Sequence, residues 1–221
     1  MEETIIIVGG LSAGPSAAAK ARRVNEGAKI LLFEKTEYIS YATCGIPYSL
    51  SGTIKKRDKL LVVKPELLRD RFGIDVHLNE PVIDILPDQH KIITSKGEYK
   101  YTKLIYAAGA SPFVPPIKDL DLAENWTNCR TIEEYDKIVE DKVLTESKNI
   151  TVLGAGLIGV EVADICPKFT SLSLAMLRAA CTTASTTAVA DFCANILPDN
   201  PKIKTIVMIA VFLILLSLLS V

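Results

Sequence analysis

Short apolar runs punctuated by glycine, proline and polar clusters dominate most of this chain. Ile5-Ile6-Ile7-Val8 is an unbroken, β-branched run, the pattern of a strand covered on both faces of a parallel sheet. The glycine turn Gly9-Gly10-Leu11-Ser12-Ala13-Gly14 follows and opens a helix through Arg23, whose alanines allow close approach to a sheet. Pro15 is tolerated because an early helical position has no intrahelical N–H bond to lose. A second strand, Lys29-Ile30-Leu31-Leu32-Phe33, ends at Glu34. Further on, Leu60-Leu61-Val62-Val63 reads as extended, and residues 65–72 as a helix with proline at its start. Residues 91–94 and 98–101 alternate around Lys96-Gly97, a hairpin signal. Lys103-Leu104-Ile105-Tyr106-Ala107 returns to the parallel sheet. Thr131 is positioned to cap a helix through Val139, and residues 149–153 form a strand before a second glycine turn at Gly154.

This alternation of strands and helices predicts an α/β, Rossmann-like three-layer fold, and the composition agrees with a folded chain. Of 221 residues, 49% are hydrophobic and 23% charged, enough for one or two globular domains with a sizeable core. A formal net charge of −1 without a long run of like charges leaves no electrostatic footprint for nucleic acid. Five cysteines (Cys44, Cys129, Cys166, Cys181 and Cys193) at irregular spacings, with neither CxxC pairs nor histidine clusters, point away from a zinc site or a disulfide scaffold. The acidic opening Met1-Glu2-Glu3-Thr4 runs straight into a strand, so no secretory leader is expected. A reducing cytoplasm suits a chain whose functional thiol is unpaired.

Two stretches carry candidate chemistry. Strand, glycine turn, helix, then a second strand ending in an acid about twenty residues on is the order of a dinucleotide site. The turn amides would face a pyrophosphate and Glu34 would accept hydrogen bonds from a ribose hydroxyl, although Leu11 takes the middle glycine position of GxGxxG. Gly154-Ala155-Gly156-Leu157-Ile158-Gly159 is an intact GxGxxG between strand and helix, the stronger of the two fingerprints. About ten residues beyond Glu34, Ser40-Tyr41-Ala42-Thr43-Cys44-Gly45-Ile46-Pro47-Tyr48 sets a cysteine at a Gly-Pro turn able to present it rather than bury it. That context favours redox chemistry at Cys44 over the usual role of a lone cysteine as a small apolar residue. His77, in an alternating strand, and His90, in a polar turn, are expected at the surface.

Together with Arg57-Asp58-Lys59-Leu60-Leu61, Gly73-Ile74-Asp75-Val76-His77-Leu78-Asn79 and Tyr106-Ala107-Ala108-Gly109-Ala110-Ser111-Pro112, these motifs resemble the single-cysteine branch of the FAD-dependent pyridine nucleotide-disulfide oxidoreductases. That branch contains coenzyme A-disulfide reductases, NADH oxidases, NADH peroxidases and persulfide reductases. The likeness runs over residues 4–164. It implies FAD held by Gly9, Gly10, Ala13, Gly14, Glu34 and Lys35, with the Val82 backbone at the adenine and Ala108-Gly109 approaching the flavin. It also implies NAD(P)H at Gly154, Gly156, Ile158 and Gly159, with Glu161 near the nicotinamide. Dithiol relatives carry a second cysteine five residues after the first, where this chain has Ser49, so Cys44 would cycle through a sulfenic acid or a mixed disulfide. Peroxidase and oxidase relatives keep a histidine where Ser12 stands. Reduction of coenzyme A disulfide, or of a related disulfide or persulfide, therefore fits better than peroxide reduction. Lys20, Arg23, Ser40 and Thr43 hold positions that line the coenzyme A site in relatives, Thr43 replacing a common asparagine. A solvated basic face is the plain alternative for Lys20, Arg22 and Arg23. A water-forming NADH oxidase and an inactive FAD-binding remnant are the competing readings.

The resemblance divides the chain into an FAD-binding domain (1–115), a connector (116–148), the start of an NAD(P)-binding domain (149–165), a segment unlike the family (166–202) and an apolar tail (203–221). Cys166-Pro167 and the Ser/Thr/Ala-rich stretch after it break the expected pattern, so the second nucleotide-binding domain is expected to be truncated and the homodimer interface domain of relatives missing. A shifted or fused reading frame would account for the same departure. The uncharged residues 205–221 are at the short limit for a membrane-spanning helix and are expected to act as a tail anchor in preference to a buried helix.

Overall fold

The computed structural model describes residues 3–114, 116–117, 120–123, 126–147, 149–154, 157–165 and 205–209. Its chain forms two compact units that are not collinear with the sequence: residues 1–42 with 56–110, and residues 43–55 with 111–221.

In the first unit, β1 (Thr4–Val8), β2 (Lys29–Phe33), β3 (Asp75–His77) and β7 (Lys103–Tyr106) make a parallel sheet in the order β3-β2-β1-β7. The helices α1 (Ala13–Val24) and α3 (Pro65–Phe72) belong to the same unit, as does an antiparallel meander of β4 (Val82–Leu86), β5 (Lys91–Thr94) and β6 (Glu98–Lys100). The period of two along β1 explains its unbroken hydrophobicity. Ile5 and Ile7 join Ala18, Ile30, Leu32, Leu68, Ile74 and Val76 in one core. Ile6 and Val8 join Leu31, Phe33, Ile92 and Tyr101 in another, with Val82, Ile85 and Tyr99 of the meander packed against it. Helices, parallel sheet and meander are the three layers expected.

The second unit holds a 3-10 turn at Thr43–Gly45 and the short helix α2 (Ile46–Leu50). It continues with β8 (Trp126–Asn128), α4 (Ile132–Glu140), α5 (Val143–Glu146), β9 (Asn149–Leu153), α6 (Leu157–Ile165) and β10 (Thr205–Ile209). Thr131 caps α4 through a reciprocal capping box, accepting from the Glu134 N–H while Glu134 Oε2 accepts from the Thr131 N–H at 2.9 Å. The apolar face of α4, Ile132, Tyr135 and Ile138, is buried. Its neighbour α2 packs against both α4 and α6.

The apolar tail departs from expectation where it is described. Residues 205–209 form β10, in parallel register between β8 and β9, with Val207 opposite both Trp126 and Thr151. The reading as a membrane helix supposed that nothing in the fold would cover this run. A parallel strand instead pairs with each of its edges, and a run of Thr, Ile, Val, Met and Ile suits a central strand. Among the described residues no helix is long and apolar enough to cross a membrane. Residues 203–204 and 210–221 lie outside the described part.

Candidate functional site

The glycine turn after β1 is shaped by close backbone approach. Gly9 has φ +107° and donates its N–H to the Phe33 carbonyl at 2.8 Å. A Cβ on Gly9 would lie 2.1 Å from the Ala107 carbonyl oxygen, and one on Gly14 would lie 1.8 Å from the Gly9 oxygen. The start of α1 is thereby pressed against the ends of β1 and β7. Ser12, at the N-cap, makes no side-chain capping bond, and no acid stands in the first turn. Helix-start amides without a side-chain cap suit an anionic diphosphate, so the start of α1 fits the pyrophosphate of a dinucleotide. The second fingerprint repeats the packing: Gly154 has φ +108°, and a Cβ on Gly159 would meet the Gly154 oxygen at 1.8 Å. Gly156 lies outside the described residues. Ile158 is half-buried and Glu161 exposed on α6.

Glu34 sits beside the first turn with its side chain buried. Its Oε2 accepts the Gly10 N–H at 2.7 Å, and its Oε1 accepts from the Thr36 N–H at 3.0 Å and the Thr36 hydroxyl at 3.2 Å. The carboxylate therefore holds the turn together, an internal role that motif spacing alone did not reveal. Ala13 and Lys35 are exposed, and Val82 is half-buried at the start of β4. Ala108 and Gly109 are exposed beyond β7; Gly109 has φ +70° with nothing within 4 Å of a Cβ built there. Protein crowding does not require that glycine, whereas its backbone conformation does.

The basic residues of α1 separate by role. Lys20 and Arg23 are exposed. Arg22 instead turns inward, donating to the Phe72, Ala28 and Gly73 carbonyls at 2.7, 2.7 and 2.9 Å, so it ties the ends of α1 and α3 together. Neither ligand binding nor a solvated face describes it. Ser40, with φ 47°, donates its N–H to the Gly10 carbonyl at 2.9 Å and accepts from the Val62 and Val63 N–H groups at 2.8 and 3.2 Å. Its backbone braces the glycine turn, and its side chain is half-buried.

Cys44 stands in the 3-10 turn that leads into α2, four residues along the chain from Ser40. It is exposed and free, whereas Cys129 is buried. Thr43 beside it is half-buried. Ser49, at the position of the second thiol in dithiol relatives, is buried on α2 with its Oγ 2.9 Å from Tyr135 Oη and 3.2 Å from the Ile54 carbonyl. Ser49 has one hydroxyl proton for two acceptors, the Tyr135 oxygen and the Ile54 carbonyl, and the shorter of the two contacts links α2 to α4 through Tyr135. Tyr135→Phe deletes that link and is expected to lower unfolding stability by about 1 kcal/mol, measured as a drop in urea midpoint at unchanged slope.

One cluster has no counterpart in the sequence reading. His77, expected at the surface, is mostly buried: its ring stacks on Phe33 at 4.5 Å between centroids, and Nδ1 lies 3.1 Å from Glu80 Oε2. Its Nε2 lies 3.2 Å from Asp75 Oδ2, without hydrogen-bond geometry. Glu80, 2% exposed, also accepts from the Thr94 hydroxyl at 2.7 Å and the Tyr99 hydroxyl at 2.9 Å, and Lys96 Nζ stands 3.7 Å from it. His90, by contrast, is exposed in its turn. The only local hint is a histidine three residues before a glutamate; the other partners depend on strand register.

Burial pushes the Glu80 carboxyl up, but the hydrogen bonds from Thr94, His77 and Tyr99 outweigh it and hold the group below its ordinary value of 4.5. A carboxyl depressed in the folded state adds stability above its unfolded pKa and loses it as pH falls through the folded pKa. The urea midpoint is therefore expected to fall as pH drops below about 4.5, and Glu80→Gln to flatten that fall.

The first unit is a doubly covered parallel sheet whose first strand feeds a glycine turn and an uncapped helix, the architecture of a dinucleotide-binding flavoprotein. Residues 3–211 match the pyridine nucleotide-disulphide oxidoreductase family, and the chain belongs to that family. The match runs past residue 164, where the resemblance read from motifs ended. Enzymes of this family depend on FAD and NAD(P)H. The chain is 36% identical over 171 residues to the NAD(P)H coenzyme A polysulfide/persulfide reductase of Pyrococcus horikoshii, covering 74% of this chain and 37% of that protein. It is 29% identical over 167 residues to the coenzyme A disulfide reductase of Staphylococcus haemolyticus, covering 72% and 37%. Among solved structures it is similar to the water-forming NADH oxidase from Lactobacillus brevis bound to NADH, with a TM-score of 0.71 and 29% identity over 76% of this chain and 38% of that one. The chain thus spans less than two-fifths of the length of these relatives.

Proposed function

We propose that this chain carries the FAD-holding unit and the single redox thiol of an NAD(P)H-dependent oxidoreductase that reduces coenzyme A disulfide or a related small disulfide or persulfide. The observation that carries the reading is the pairing of an exposed Cys44 with a buried, hydrogen-bonded Ser49 where a second sulfur would stand. The resemblance to coenzyme A-dependent reductases supports it.

In this reading Gly9, Gly10, Ala13 and Gly14 form the turn at the first pyrophosphate, which the helix-start amides of Ala13 and Gly14 face, while the Gly9 and Gly10 N–H groups stay with Phe33 and Glu34. Glu34 and Lys35 serve the adenosine ribose and the Val82 backbone the adenine, with Ala108 and Gly109 meeting the flavin end. Gly154, Gly156, Ile158, Gly159 and Glu161 serve NAD(P)H. Lys20 and Arg23 offer exposed cations to the phosphates of coenzyme A, and Ser40 and Thr43 are the other candidate contacts of that substrate. Bound FAD supplies a two-electron relay from NAD(P)H to the thiol. The Cys44 thiolate attacks one sulfur of the disulfide, forming a mixed disulfide and releasing one thiolate. Two electrons and a proton then restore the Cys44 thiolate and free the second thiol. The balance is one NAD(P)H, one proton and one disulfide giving one NAD(P)⁺ and two thiols.

The test is anaerobic mixing of the flavin-loaded protein with NADH or NADPH and coenzyme A disulfide, counting thiols with a chromogenic disulfide. Two thiols per nucleotide oxidised are expected. Nucleotide oxidation that requires oxygen and releases no thiol would instead support the oxidase, and a bound flavin that NAD(P)H does not bleach would leave a binding protein.

A further inference from the structure

The Glu80 cluster joins pieces of the first unit that the dinucleotide site would need held in one arrangement. Glu80 donates its backbone N–H to the Glu34 carbonyl at 3.0 Å, so it is tied to the acid at the end of β2. Its carboxylate accepts from Thr94, and Thr94 is the register partner of Val82 across the β4–β5 ladder. The Thr94 hydroxyl oxygen also accepts the Lys96 and Gly97 N–H groups, each at 3.1 Å, so the same atom shapes the hairpin turn. Ser95 N–H reaches the Pro81 carbonyl at 3.1 Å, closing the loop that leads into Val82. On the opposite side, Asn79 N–H reaches the Thr36 carbonyl at 3.0 Å, and Thr36 itself bonds Glu34 Oε1. Phe33, the residue before Glu34, packs its ring on His77 at 4.5 Å and on Tyr99 at 4.8 Å.

The groups facing Glu80 are thus His77 from β3, Thr94 from β5, Tyr99 from β6, Lys96 from the hairpin turn, and the backbone at Glu34. A carboxylate 2% exposed that gathers hydroxyls, an imidazole and an ammonium is costly unless all its partners stay in place. That requirement makes the cluster an all-or-none clamp between parallel sheet and meander.

We infer that Glu80 is a positioning residue for the adenosine half of the dinucleotide, fixing Glu34 and Val82 relative to each other without touching the ligand. The inference rests on reading the first glycine turn as a dinucleotide site. A scaffold role confined to stability would weaken every ligand alike, whereas a clamp on these two residues acts on adenosine alone.

The experiment measures FAD binding by flavin fluorescence, with ADP and FMN as competitors, on the full chain and on Glu80→Gln and Tyr99→Phe. Gln keeps the size and removes the charge; Phe deletes one hydroxyl donor and leaves the carboxylate. Glu80→Gln is expected to weaken FAD and ADP about tenfold, with Tyr99→Phe in the same direction and smaller, while FMN competition stays within about twofold. If Glu80→Gln does not fold, Tyr99→Phe decides by the same comparison. Unchanged ADP competition in a folded variant, or equal losses for ADP and FMN, would overturn the inference. Failure of the unvaried protein to bind FAD would overturn the dinucleotide reading, and the inference with it.

Discussion

Gly14→Ala is expected to abolish flavin binding and to destabilise the first unit by roughly 3 kcal/mol or more, the upper range for forcing atoms into a packed site. The added Cβ would lie 1.8 Å from the Gly9 carbonyl oxygen and 3.4 Å from Ile7 Cγ2. The first neighbour is backbone, so no rotamer change relieves the clash. Gly9 cannot retreat freely, because its N–H is bonded to Phe33 and its Cα faces the Ala107 carbonyl. Helix α1 would have to lift from the sheet, moving the same amides that suit the pyrophosphate. Total stability of a domain is about 5–15 kcal/mol, so a loss of this size is a large fraction. Gly97→Ala is the matched control: nothing lies within 4 Å of its Cβ, and a change within about 0.5 kcal/mol is expected. Gly159→Ala meets the same 1.8 Å contact in the second fingerprint and should weaken NAD(P)H binding while sparing FAD. A Gly14→Ala protein with unchanged melting and flavin affinity would end this account of the turn.

What the chain revealed before folding is what depends on neighbours in sequence. Apolar runs at Ile5 and Ile30 identified β1 and β2, the intervening glycines identified the turn, and Thr131 with Glu134 identified the start of α4. What stayed hidden depends on distant partners. Arg22 has the same local pattern as Lys20 and Arg23, and only the arrival of the Phe72–Gly73 carbonyls turns it inward. Glu80 looks like an ordinary loop acid until β5 and β6 bring Thr94 and Tyr99 to it. A five-residue apolar stretch such as Thr205–Ile209 fits a helix or a strand equally by periodicity, and pairing with β8 and β9 decides it. The cysteine turn sorts with the second unit because α2 finds its cover on α4 and α6, contacts made across more than eighty residues of chain.

Cys44→Ser is expected to retain FAD and to lose NAD(P)H-dependent thiol release by at least about a thousandfold, since a serine hydroxyl cannot replace a thiolate in disulfide exchange. Ser49 offers no second thiol on the same helix, and its hydroxyl is committed to Tyr135 and Ile54, so it does not serve as a substitute nucleophile. Cys129 is buried at 5% exposure, and it should stay unmodified when the folded protein meets coenzyme A disulfide without a reductant. Of the two described cysteines, peptide mapping of that reaction is expected to show a coenzyme A adduct at Cys44 and not at Cys129, and none at position 44 in the variant. The substitution removes a sulfur from an exposed turn, so melting temperature and flavin spectrum should be near those of the unvaried protein, separating lost chemistry from lost fold. If Cys44→Ser still released two thiols per NAD(P)H, the electrons would reach the disulfide by another path. The exposed cysteine would then be an ordinary residue of a presenting turn.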